Sequence, residues 1–191
     1  CQQVNSPMAA RHVLDRAIRI ALEQNTVTCV ILPKDIQEEK YEDPPQKHDT
    51  AQTGLGYSVP HIIPKRKDLE AAAEVLNRGE RVAMLIGQGT LGAMDEVMQI
   101  ADILGAGVAK SWLGKAALPD DVPYCTGNIG LLGTRPSWDM MQACDTLLVV
   151  GSSFPYAEFY PPKGQAKAVQ IDRDGRMLSL RYPMDVNLKG D

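Results

Sequence analysis

Apolar positions along the chain switch between two spacings, about three to four residues apart in some stretches and unbroken or alternate in others, and the switches predict the elements. From Met8 to Gln24 the spacing is helical, with Val13, Leu14, Ala17, Ile18 and Ala21 on one face, Ser6 at the cap position and Pro7 in the first turn. Asn25 stops that helix, and the β-branched apolar run Thr26–Leu32, ended by Pro33, predicts a buried strand. From Asp35 to Pro64 the periodicity vanishes. This stretch is polar, carries charges of both signs and contains four prolines, as a linker does.

Beyond the linker the pattern becomes regular. A helix is predicted over Arg66–Asn77 with Leu69, Ala72, Ala73 and Leu76 inward and Gly79 closing it. A strand over Val82–Ile86 follows, then a helix over Leu91–Leu104 closed by Gly105, and a short strand at Val108–Ala109. After a long segment rich in glycine and proline come a helix near Ser137–Ala143, strands at Thr146–Val150 and Ala168–Ile171, and an edge strand at Val186–Leu188. Apolar strands alternating with helices predict a doubly wound parallel α/β sheet, Rossmann-like, covered on both faces. The division this implies is residues 1–37 as the end of one domain, 38–63 as linker and 64–191 as a second domain.

Composition narrows the possible partners. Twenty Lys and Arg stand against 24 Asp and Glu, a net charge of -4, without any basic block, so nucleic acid is not an expected ligand. Cys1, Cys29, Cys125 and Cys144 form no C-x-x-C pair and read as small buried or partly buried thiols in a reducing, cytoplasmic compartment. His12, His48 and His61 are scattered, and no metal site is expected from them. No apolar run approaches the roughly 20 residues of a membrane span. The start lacks both an initiator Met and a signal-peptide core, and reads as an internal piece of a longer protein.

In doubly wound sheets ligands lie beyond the carboxyl ends of the strands, so the residues after each strand are the candidates. Gly87, Gly89 and Gly92 spell G-x-G-x-x-G after the first strand. This is either a loop that lets a diphosphate approach or a tight turn without ligand. A nicotinamide site also demands an acidic residue about 20 positions on, to hold the ribose. That place holds Val108-Ala109-Lys110-Ser111, where only Lys110 could meet a 2′-phosphate. The later loops, Lys110 to Lys115, Thr126 to Arg135, Gly151 to Tyr156 and Asp172-Arg173-Asp174, offer backbone amides, hydroxyls and charges. Asp172 suits either an adenosine moiety or a helix or turn cap.

The segments LIGQGT, AKSWLGKAALPDDVPYCTGNIGLLGTR, CDTLLVVGSSFPYAEFYP and AVQIDRD, in that order, resemble the thiamine diphosphate-dependent 2-oxo acid enzymes, with pyruvate oxidase and the quinone-dependent pyruvate dehydrogenase most similar. The resemblance implies that residues 64–191 are the central domain and that residues 1–37 end the pyrimidine-binding domain. It implies FAD in this domain, as in the oxidase, quinone dehydrogenase and acetolactate synthase branches, contacted by Gly87, Gln88, Gly89, Ser111, Trp112, Leu113, Gly114, Gly130, Leu131, Leu132, Gly133 and Thr134. Gly151, Ser152, Phe154, Pro155, Tyr156 and Asp172 would complete that site, with Phe154 and Tyr156 either touching the flavin or packing the loop. Gly92 would serve helix packing, and Arg173 could pair with Asp172 or Asp174.

Two parts of the family's pattern have no counterpart in this sequence, the catalytic glutamate and the GDG motif with its following asparagine that holds Mg²⁺. The resemblance therefore assigns thiamine diphosphate and Mg²⁺ to the enzyme's other two domains, and no catalytic residue to this chain. It further implies a homo-oligomer, dimer or tetramer, and in the quinone-dependent branch a peripheral membrane contact outside this chain. The implied activity is oxidative decarboxylation of a 2-oxo acid. The alternatives are a structural central domain in a non-flavin decarboxylase or lyase or in an acetolactate synthase-like enzyme, and a free-standing NAD(P) oxidoreductase domain.

Overall fold

The computed structural model describes residues 1–54 and 56–191. These form two compact units, Cys1–Pro60 and His61–Asp191.

The first unit is a two-stranded parallel ladder with helices. Strand β1 (Gln2–Gln3) pairs with β2 (Val30–Ile31), and between them lie a 3-10 turn at Pro7–Ala9 and helix α1 (Ala10–Gln24). Asn25 ends α1 in the left-handed conformation at φ 45°, a role its short polar side chain permits. Ser6 makes no side-chain cap bond. Three expectations change. Of the apolar face assigned to α1 only Val13 is buried, while Leu14 and Ile18 are exposed. The buried strand expected over Thr26–Leu32 contracts to β2, where Val30 is half-buried and Ile31 exposed, because this strand has a single neighbour to pair with. Cys1 and Cys29 lie exposed rather than buried. After α2 (Lys34–Gln37), the described residues of 38–63 form no helix or strand. Leu55, which the linker expectation includes, lies outside the described residues.

The second unit contains α3 (Arg66–Asn77), β3 (Val82–Ile86), α4 (Met94–Leu104), β4 (Gly107–Lys110), β5 (Cys125–Asn128), α5 (Arg135–Ala143), β6 (Thr146–Val150), β7 (Lys167–Asp172) and β8 (Val186–Lys189). The strands form one parallel sheet in the order β5-β4-β3-β6-β7-β8. Chain order reverses between β3 and β6, which makes their carboxyl ends the topological switch point.

Side chains on a strand alternate between faces, and the core divides accordingly. Val82, Met84 and Ile86 point to one face, with Ala72 of α3 and Val97 and Ala101 of α4. Ala83 and Leu85 point to the other, with Met141 of α5, Phe154, Tyr160 and Tyr182. Every residue of β3 is buried, so covering both faces stabilises this strand by about 1.5–3 kcal/mol for each large apolar side chain.

The expected elements are present, with local corrections. On α3 the buried residue is Ala72, Val75 and Leu76 pack partly, and Leu69 and Ala73 are exposed. The face is shifted because this helix lies over β6, β7 and β8. Helix α4 starts at Met94 rather than Leu91, since Gln88–Thr90 form a separate 3-10 turn and Gly92 takes a φ of +94°. With open space around its Cβ position, Gly92 serves a backbone conformation and not helix packing. Strand β5 was not predicted. Cys-Thr-Gly-Asn has no apolar run, and it joins the sheet by backbone pairing beside a register shift between Val108 and Ala109.

Candidate functional site

At the switch point the loops after β3 and β6 are pressed together through glycines. A Cβ on Gly87 would stand 2.4 Å from the Gly151 carbonyl oxygen, and one on Gly89 would stand 2.6 Å from the Gly151 Cα. The loop after β4 joins them, because a Cβ on Gly114 would lie 2.7 Å from Gly87 backbone atoms. These glycines therefore admit neighbouring backbone, the same service that a diphosphate would otherwise receive.

The loop amides are also committed. Gly87 N–H donates to the Val150 carbonyl at 3.0 Å, Gly89 N–H to Gly151 at 2.9 Å, and Thr90 and Leu91 N–H to Gly87 and Gln88 at 3.1 Å each. The Thr90 hydroxyl donates to the Gly87 carbonyl at 2.8 Å. Helix α4 begins with Asp95 and Glu96 in its first turn, and those carboxylates already occupy the favourable field of its N-terminus. The diphosphate of a dinucleotide finds few free donors in this loop. Gln88 is exposed beside it.

Lys110, at the end of β4, is fully buried. Its ammonium donates to the Leu118 carbonyl at 2.6 Å and to Asp120 Oδ1 at 2.5 Å, and Lys115 reaches Asp120 Oδ2 at 2.8 Å. The hydrogen bond from Lys110, with a second from Lys115, lowers the Asp120 carboxyl to about 2. This commitment contradicts the 2′-phosphate role offered for Lys110, since its charge is spent inside the protein. What it does is fasten the loop Ser111–Asp120 to the sheet. Ser111 and Gly114 are buried, whereas Trp112 and Leu113 between them are turned outward.

After β5, Asn128 is buried and donates to the Lys110 and Ser111 carbonyls, both at 3.3 Å, tying two candidate loops together. The sequence places Asn128 within a candidate loop; its strand and its role in tying two loops went unread, because T-G-N-I-G carries no apolar run. Gly133 N–H donates to the Gly130 carbonyl at 2.8 Å, so Gly130-Leu131-Leu132-Gly133 is a tight turn that holds both leucines out. The Thr134 hydroxyl donates to the Thr126 carbonyl at 2.5 Å and accepts from Ser137 N–H at 3.4 Å, capping α5.

After β6, Ser152 and Phe154 are buried, while Pro155 and Tyr156 are exposed. Phe154 meets Tyr156 edge-on at 5.4 Å, and Tyr160, stacked on Tyr182 at 5.6 Å, donates its hydroxyl to the Phe154 carbonyl at 3.2 Å. Burial pushes the Tyr160 hydroxyl upward in pKa. Phe154 thus packs the loop, and Tyr156 retains one open side. After β7, Asp172 is half-buried and accepts from Asp174 N–H at 2.8 Å, a turn-capping role. Desolvation holds its carboxyl above the usual range. The Arg176 side chain donates to Asp174 from Nε to Oδ1 at 3.0 Å and to Oδ2 at 3.1 Å, and from Nη2 to Oδ2 at 2.8 Å.

The candidates that remain outward-facing are mostly apolar. Trp112 and Leu113 are 60% and 71% exposed, and Leu131 and Leu132 are 73% and 76% exposed. Leu91 and Met94, which sequence reasoning did not single out, are exposed at the end of β3. These six residues stand at the carboxyl ends of three adjacent strands, β5, β4 and β3. Such an apolar rim suits a flat apolar ligand or another protein surface. No helix among the described residues is long and apolar enough to cross a membrane.

Comparison with known proteins gives this geometry its context. The family described as thiamine pyrophosphate enzyme, central domain, matches residues 69–191. YdaP of Bacillus subtilis (strain 168), described by its name as containing thiamine pyrophosphate, is 30% identical over 190 residues, covering all of this chain and 32% of YdaP. A protein named as an acetolactate synthase large subunit in Methanocaldococcus jannaschii is 27% identical over 172 residues, covering 84% of this chain and 28% of its own length. A solved structure from Mycobacterium smegmatis, described as a thiamin diphosphate-dependent enzyme, superposes with a TM-score of 0.71 at 20% identity, over 99% of this chain and 36% of that one. The chain spans less than half the length of the curated relatives it matches. With a parallel six-stranded sheet and a family match over most of its length, the chain belongs to the thiamine pyrophosphate enzymes, as their central domain.

Proposed function

We propose that this chain is the central structural domain of a thiamine diphosphate enzyme acting on a 2-oxo acid, either a non-flavin decarboxylase or lyase or an acetolactate synthase-like enzyme. Its carboxyl-end loops serve as a scaffold and contact surface for the enzyme's other domains. The observation that carries this reading is the self-satisfied switch point, where the amides of Gly87, Gly89, Thr90 and Leu91 bond to backbone carbonyls and the glycine faces meet Gly151 and Gly114. A dinucleotide diphosphate needs those donors free. The similarity to a protein named as an acetolactate synthase supports the synthase-like form of this reading.

On this reading, residues 1–37 close the pyrimidine-binding domain, 38–63 link and 64–191 are the central domain. Thiamine diphosphate and Mg²⁺ are held elsewhere in an intact, cytoplasmic homo-oligomer. When bound, thiamine diphosphate supplies the carbanion chemistry. The part of this chain is positional: Lys110, Asn128 and Gln170 bind loop carbonyls and hold the strand-end loops in place.

A second reading is favoured by the apolar rim. Trp112, Leu113, Leu131, Leu132 and Tyr156 offer apolar surface to a flavin edge, and the half-buried Asp172 offers a carboxylate to an adenosine, in a pyruvate oxidase or quinone-dependent dehydrogenase. Dye reduction with a 2-oxo acid, read beside the visible spectrum of the intact protein, separates the two. The first reading expects CO₂ release from a 2-oxo acid without reduction of a dye, and a colourless protein in its decarboxylase or lyase form. A yellow protein that releases flavin on acid treatment and reduces a dye with a 2-oxo acid overturns it in favour of the second.

A further inference from the structure

The first unit places two thiols opposite one another in a ladder. Strand β1 runs parallel to β2 with Gln2 facing Val30 and Gln3 facing Ile31. The amide of Gln2 donates to the Cys29 carbonyl at 2.9 Å, and that of Val4 to the Ile31 carbonyl at 2.9 Å. One step toward the start of each strand, the same register sets Cys1 opposite Cys29. Directly opposed residues of parallel neighbours project from the same face, and their Cα atoms lie one strand spacing apart, about 4.8 Å. That is inside the roughly 4.4–6.8 Å range that a disulfide bridges. Both thiols are exposed and free, whereas Cys125 is half-buried and Cys144 buried.

We propose that Cys1 and Cys29 are an oxidisable pair that closes a cross-strand disulfide under a mild disulfide oxidant. One thiolate attacks a sulfur of oxidised glutathione, forming a mixed disulfide and releasing one glutathione thiolate. The second protein thiolate attacks the protein sulfur of that mixed disulfide, forming the Cys1–Cys29 bond and releasing the other glutathione. The two thiol protons pass to buffer, so two protein thiols are oxidised as one oxidised glutathione is reduced. The bond pins a ladder that is otherwise two residues long on each strand. In a reducing medium the pair stays open.

The test is oxidation of the full 191-residue chain with oxidised glutathione, followed by non-reducing digestion and mass spectrometry. The expected result is a monomer lighter by about two hydrogens, with a linked peptide joining Cys1 to Cys29. Hydrogen exchange at the Gln2 and Val4 amides should slow on oxidation. Cys29→Ser should leave Cys1 as a stable glutathione adduct, while Cys125→Ser should leave the linked peptide unchanged. Persistent glutathione adducts on both Cys1 and Cys29 without a linked peptide, or disulfide-linked dimers in place of the monomer, overturn the proposal.

Discussion

The amide of Gly89 donates to the carbonyl of Gly151 at 2.9 Å, and neither residue has room for a side chain, since a Cβ on either would lie 2.6 Å from the other's Cα. The loops after β3 and β6 are therefore locked backbone to backbone at the place where a doubly wound sheet normally receives its ligand.

Gly89→Ala should force these loops apart and destabilise the second unit by about 1–3 kcal/mol, the usual cost of overpacking. Gly175→Ala is the control, because its Cβ would meet only the Lys189 Cδ at an ordinary 3.8 Å. Urea midpoints measured on both variants check this; equal midpoints would remove the locking argument.

Lys110→Met should lower stability by about 1–3 kcal/mol, because the buried Leu118 carbonyl loses its donor. The same pair makes a pH prediction. Asp120 titrates at about 2 in the folded chain against an ordinary 3.8, so its contribution is fully present above the ordinary value and is lost as pH falls toward about 2. Carboxyl NMR should show a midpoint near the lower value, and it should move upward in Lys110→Met. An unmoved midpoint would mean that Lys115 alone holds Asp120.

Cys144 is buried and donates its thiol to the Met141 carbonyl at 3.3 Å, and burial pushes it up from 9.0 to about 11. Between those values the folded state keeps a proton that the unfolded state loses, so this group costs stability as pH rises through the window. At neutral pH, iodoacetamide should label the exposed Cys1 and Cys29 well before Cys144 in native protein, and all four cysteines together in urea. Rapid native labelling of Cys144 would contradict its burial.

The double substitution Leu131→Asp with Leu132→Asp should change the stability of the isolated chain by no more than about 0.5 kcal/mol, since both side chains are exposed. In the intact enzyme it should weaken subunit or domain association without changing flavin content, measured by sedimentation and acid-released flavin. Flavin content that falls with these residues would favour the second functional reading.

The five apolar runs and three helices from Arg66 onward were legible because a parallel sheet buried on both faces demands them; Val82–Ile86 and Thr146–Val150 read correctly as strands for that reason. Strand β5 was not legible, because Cys125–Asn128 joins by backbone hydrogen bonds rather than by apolar side chains. The candidate loops were found, since strand ends follow from the strands, but their internal bonding was not. Lys110 read as a free cation near a ligand, and only folding brought it to Leu118 and Asp120.

By itself, then, the chain's hydrophobic rhythm determined the α/β class and the glycine-bearing turns, because periodicity and backbone freedom are local properties. The tertiary structure alone decided which partner each glycine and amide meets. Gly87 and Gly89 are equally able to face a phosphate or a neighbouring carbonyl, and strand order, by setting β6 beside β3, gave them Gly151.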